Sequence, residues 1–106
     1  VNIWYFKLSG QGGPNEDVRF PFGFFVNCLI ANKELLIDTK EAIIQDLKSE
    51  GFRNIHVDES GFFSDYTWDD ESFREEMEIL ASAASDTPDV ICYSNFHIWR
   101  LGSVPE

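Results

Sequence analysis

The chain has 106 residues, a length that makes one domain with enough interior to fold without disulfide or metal staples. Its composition, 43% hydrophobic and 15% aromatic, excludes a disordered chain, and it contains no apolar run of about eighteen residues to cross a membrane as a helix. Nineteen acids against eight Lys and Arg give a net charge of −11, which repels nucleic-acid phosphates and anionic lipid and attracts basic proteins.

The first residues, VNIWYFKLS (1–9), are dense in β-branched and aromatic side chains and predict a strand apolar on both faces, hence central. They lack the basic segment, apolar block and small-residue cleavage site of a secretory leader, so a cytoplasmic location is expected. GQGGPNED (10–17) is a loop by composition, and FGFFVNCLIA (22–31) is a second strong strand. KELLI (33–37) fits either a short strand or the approach to a helix. DTKEAIIQDLKSEG is the clearest helix, with Asp38 as cap, Glu41 completing a capping box, Ala42 or Ile43 with Ile44 and Leu47 as the buried stripe, and Gly51 as the stop. FRNIHVDE (52–59) is a third strand, with Ile55 and Val57 on one side and Asn54, His56 and Asp58 on the other.

A second helix is expected from Asp70 or Ser72, where Ser72 and Glu75 match a capping box. Phe73, Met77, Leu80 and Ala84 fall on one face of it, and Glu71, Glu75, Glu78 and Ser82 on the other. SDTPD (85–89) stops it, and 90–101 forms a last strand, or two short ones turning at Ser94-Asn95. The order β-β-α-β-α-β predicts a single α+β domain over 1–106, a two-layer sandwich with an approximately four-stranded, mainly antiparallel sheet and both helices on one face.

Chemistry-bearing motifs are sparse. SGQGGPNED is glycine-rich but lacks the helix and lysine of a phosphate cradle, and its own acids repel phosphate. Cys28 and Cys92 sit in apolar strand-like runs with no zinc spacing, so two buried free thiols are expected. The acids of 58–78 do not match a calcium-binding loop register, and no metal or cofactor is expected. His56 with Asp58, and His97 if the last strand neighbours the third, are the material for a small hydrolase, which would also need positive charge to hold a phosphodiester. Unrelated structural roles for the two imidazoles are the simpler reading, so the chain is not expected to be an enzyme.

The strongest signal is DESGFFSDYTWDDESFREEME, residues 58–78. It holds nine of the nineteen acids, one base and five aromatic rings, a local charge of −8, while the other 85 residues carry −3. Helix-face glutamates alone serve solubility, and Phe62, Phe63 and Trp68 could roof the core. Tyrosine and tryptophan among carboxylates also suit a protein-binding surface, where rings anchor and acids steer.

In size, in the one-sided acidity of 58–78 and in its plain α+β layout, the chain resembles the small acidic immunity proteins of bacterial toxin–immunity pairs, including those of contact-dependent growth inhibition. That class has no shared motif, so no functional residue is carried over from it. The resemblance implies a stoichiometric inhibitor that binds a basic, nuclease-type toxin domain and contacts neither nucleic acid nor membrane. On this reading Asp65, Asp69, Asp70, Glu71, Glu75 and Glu78 supply complementary charge, and Tyr66 and Trp68 the central anchors. The alternatives are the His/Asp hydrolase and a regulatory or adaptor domain that binds another basic protein.

Overall fold

The structure, a computed structural model, describes residues 2–101. β1 (Asn2–Gly12) and β2 (Phe22–Asn32) form a long antiparallel hairpin in continuous register from Asn2↔Asn32 to Gly12↔Phe22. β1 thus runs through the glycines that composition assigns to a loop, for a steric reason. A Cβ on Gly10 would stand 3.0 Å from the Phe24 ring, and one on Gly12 would stand 2.6 Å from the Phe22 ring. These glycines are strand residues that let two core rings lie on bare backbone.

α1 (Leu36–Ser49) follows, so the end of KELLI is helix. Leu35 stands at its N-cap without a side-chain bond. Asp38 is therefore not the cap; it sits in the first turn, where its charge meets the positive end of the helix. Ile43 and Leu47 are buried and Ala42 is exposed, which selects Ile43 for the stripe. The helix stops as expected at Gly51, whose φ of 96° suits glycine. Gly51 N–H donates to Lys48 O (3.0 Å) and Phe52 N–H to Leu47 O (3.1 Å), closing a Schellman turn.

β3 (Arg53–Phe62) pairs with β1 and extends past residue 59, ending with Phe62 stacked on Trp4 at 4.5 Å. A short 3-10 turn (Phe63–Asp65) leads toward α2 (Glu71–Asp86). Asp70 caps α2, its Oδ1 accepting from Phe73 N–H at 2.8 Å; Ser72 is already inside the helix. β4 (Cys92–Tyr93) and β5 (His97–Arg100) both pair with β2. They are one edge position interrupted at 94–96, where Ser94 Oγ replaces a backbone carbonyl and accepts from Asn27 N–H at 3.1 Å.

The sheet order is β3-β1-β2 with β4 and β5 on the outer edge of β2, and every pair is antiparallel. The α+β class is as expected, with five strands because the last one is split. The placement of the helices is not as expected. Trp4, Phe6, Leu8, Phe24, Val26 and Cys28, all even-numbered and therefore on one face, pack with Ile43 and Leu47 of α1. Tyr5, Leu29 and Ala31, on the other face, pack with Met77 and Ala84 of α2. The helices cover opposite faces, because two-sided apolar strands need cover on both sides.

The same alternation separates the cysteines. Cys28 pairs with Tyr93 on the α1 face, Leu29 pairs with Cys92 on the α2 face, and both thiols are free, Cys28 buried and Cys92 half-buried. Burial, with Cys92 and Asp46 adding to it, pushes the Cys28 thiol far above its ordinary range, which keeps it unreactive.

Candidate functional site

The acidic band is spread over several elements. Its first residues belong to β3, its middle to the 3-10 turn and the loop to α2, and its last to α2. Tyr66 and Trp68 are half-buried in the α2-side core. Tyr66 lies against Tyr5 at 4.5 Å, and its hydroxyl donates to Ser60 O at 2.9 Å. Trp68 meets Tyr5 at 5.6 Å, Phe63 at 5.4 Å and Phe73 at 5.7 Å. These rings close the end of the core. Phe63 shares that roof, whereas Phe62 turns to the other face and covers Trp4.

The carboxylates differ in role. Asp65, Asp69, Glu71, Glu75 and Glu78 are exposed. Asp70 is also exposed but caps α2. Asp70→Ala is expected to lower unfolding free energy by about 1 kcal/mol in a urea titration, and Asp70→Asn to restore most of it, because asparagine keeps the acceptor without the charge. Glu75, Glu78 and Ser82 surround Ile79, which is 72% exposed, in a shallow depression of about 290 Å³. Sequence reasoning named the acids of this helix face and missed Ile79. The available signal was its position four residues after Glu75, an aliphatic residue on an otherwise polar stripe.

The imidazoles lie on one sheet face but apart. His56 pairs with Ser9, Ser9 with Phe25, and Phe25 with His97, so one cross-strand row holds all four. Three strand spacings separate the two histidines, about 14 Å, too far for a coupled pair. A register shift in β3 against Lys7 and Leu8 leaves Asp58 out of the ladder and puts Glu59 on the face that carries His56. The i, i+2 spacing of His56 and Asp58 therefore does not put the two on one regular ladder. Among the described residues, no group of three or more His, Cys, Asp and Glu side chains is placed to share a metal ion.

α2 covers only the Tyr5 end of its sheet face, and beyond it the sheet is open. There a cleft of about 350 Å³ lies between Trp68 and Phe73 on one side and Phe25 and His97 on the other. Its floor is polar. Tyr5, only 1% exposed, donates from its hydroxyl to Asn27 Oδ1 at 2.7 Å and stands 3.4 Å from Glu59 Oε2. Burial first, and Glu59 second, raise the Tyr5 phenol far above its ordinary value, so it remains a protonated donor. Lys7 Nζ lies over the Phe25 ring, 5.3 Å from its centroid, and His97 stacks on the same ring at 4.4 Å.

Near the α1 face, a second cleft of about 430 Å³ has aromatic walls in Phe52, Tyr93 and Phe96, with Asp17, Asp46 and Glu50 around it. Tyr93 donates from its hydroxyl to Asp46 Oδ2 at 2.6 Å, tying the sheet edge to α1. Comparison of the chain with protein-family models, with curated proteins and with solved structures found no match. Among the described residues, no helix is long and apolar enough to cross a membrane.

Proposed function

We propose that this domain is a non-enzymatic binder of a basic protein, and specifically an immunity protein that occupies a cognate nuclease-type toxin domain one to one. The observation that carries the reading is the outer face of α2. Glu75 and Glu78 flank an isoleucine that is 72% exposed, and Glu71 continues the anionic stripe toward the helix start. An aliphatic anchor inside a rim of one charge suits an interface that must both steer and hold. A nuclease keeps a basic surface for phosphates, and this stripe offers it carboxylates instead. Asp65 and Asp69 extend the field, while Tyr66 and Trp68 hold that end of the domain rigid rather than serving as the principal anchors.

The alternative hydrolase reading draws on His56 with Asp58, which a register shift in β3 interrupts, and on His97, which lies three strands from His56, so the binding reading is preferred. The test is co-expression with the toxin domain encoded beside this chain in its native genome. The expected result is restored growth, a one-to-one complex and loss of nuclease activity at equimolar protein. Undiminished nuclease activity in the presence of excess protein would refute the proposal.

A further inference from the structure

We infer that the outer edge of β5 is a self-docking site, through which a second copy of this chain extends the sheet across a two-fold axis. Two bonds fix the hydrogen-bond phase of that edge. Ser94 N–H donates to Asn27 O at 2.8 Å and Leu101 N–H to Pro21 O at 2.9 Å, so the odd-numbered residues of β2 face it. In the register of β5 these residues meet Trp99 and His97. Ile98 and Arg100 therefore turn their N–H and C=O away from β2, and among the described residues no strand pairs with that side. The two edges of the sheet are unlike. At the other edge, β3 has two register shifts, a left-handed Asn54 (φ 53°) and an outward Ser60 carbonyl covered by the Tyr66 hydroxyl. Those features obstruct the addition of a strand, whereas β5 keeps continuous register with β2 from end to end.

The chemistry of the edge selects its occupant. Phe96, Ile98 and Trp99 are 36%, 45% and 47% exposed, so the edge is apolar as well as unpaired. Residues 90–101 contain no Asp or Glu, on a chain of net charge −11, so a second acidic copy meets least repulsion here. A basic partner, in contrast, finds no carboxylate in this segment to pair with. The edge is also its own complement. Two antiparallel copies centred on Ile98 put one outward-facing Ile98 opposite the other, in hydrogen-bonding phase, and set Trp99 of each beside His97 of the other. That register joins ring to ring on the open sheet face and isoleucine to isoleucine on the α1 face. The strand has 4 residues, so the contact is small and the dimer weak.

The test is sedimentation of the full chain from about 10 μM to about 1 mM, with amide hydrogen exchange at both ends of that range. A monomer–dimer equilibrium is expected, with the Ile98 and Arg100 amides exchanging about tenfold or more slowly in the concentrated sample. Added salt is expected to strengthen the dimer, because it screens the repulsion between two acidic copies. Salt weakens attraction to a basic protein, so this response separates the β5 edge from the α2 face. Ile98→Pro removes an outward N–H without breaking a bond to β2, and is expected to weaken association about tenfold or more. Ile98→Lys keeps the backbone donor, sets like charges across the axis and is expected to weaken association to a similar degree. A chain that stays monomeric at the highest concentration in high salt, a dimer whose Ile98 and Arg100 amides exchange freely, or a dimer indifferent to both variants would overturn the inference. Protection of those amides that appears only when a toxin domain is added to a monomer would also overturn it, by giving the edge to another partner.

Discussion

Phe24→Ala is expected to lower the free energy of unfolding by about 3–5 kcal/mol, read as a lower midpoint with an unchanged slope in urea. Phe24 is fully buried on the α1 face, where its ring meets Phe52 at 4.7 Å and Phe96 at 5.6 Å and lies over Gly10. Removing it leaves a void that the glycine beneath cannot fill. A domain of this length is stable by about 5–15 kcal/mol, so this one substitution takes about a fifth of that margin at the least. The informative comparison is the adjacent Phe25→Ala. Phe25 points to the open part of the other face, is half-buried and packs mainly on His97 and Lys7. Its loss is expected to cost about 1 kcal/mol, within the range of an exposed aromatic pair. Equal costs at 24 and 25 would contradict the assignment of one covered and one open face here.

That two-sidedness was already present in the sequence. VNIWYFKLS alternates Trp4, Phe6 and Leu8 with Ile3 and Tyr5, and a strand apolar on both sides needs cover on both sides. Placing both helices on one face contradicted that observation; the helices' own periodicities show which stripe is buried but not which sheet face it meets. Elements with strong local chemistry were legible: the α1 stop at Gly51, the α2 start as one of Asp70 and Ser72, of which Asp70 is the cap, and the break at Ser94-Asn95. Two others were not. Gly10 and Gly12 resemble loop glycines because the rings that require them, Phe24 and Phe22, come from the next strand. The relation of His56 to Asp58 fails because a bulge in β3 interrupts the two-residue alternation, which single-strand spacing does not reveal.

The site was legible to the same degree. The carboxylates of α2 fall on the predicted polar face because helical spacing alone fixes it. Tyr66 and Trp68 have core partners from β1 and from the 3-10 turn, so their burial depends on contacts that the local sequence does not contain. The open cleft is less accessible still. Lys7, Asn27 and Glu59 are far apart in the chain and become one row only through the register of three strands.

Reversal of Glu71, Glu75 and Glu78 to lysine is expected to reduce affinity for the cognate toxin domain by about tenfold to a hundredfold at low salt, mostly through slower association. Each exposed pair is weak alone, but the three changes move the net charge from −11 to −5 and turn the approach field on one helix face from attractive to repulsive. The difference from wild type should shrink as ionic strength rises and the screening length falls below about 8 Å. Ile79→Asp is expected to act differently, raising the dissociation rate about tenfold or more with little dependence on salt, because it removes the apolar anchor. The control is reversal of the exposed acids Asp38, Glu41 and Glu50 of α1 and its C-cap, which alters net charge equally at a different place. If both triple reversals weaken binding equally and Ile79→Asp does nothing, the attraction comes from overall acidity and the α2 face is not the interface. If only the α2 set and Ile79→Asp act, the docking surface is the one proposed.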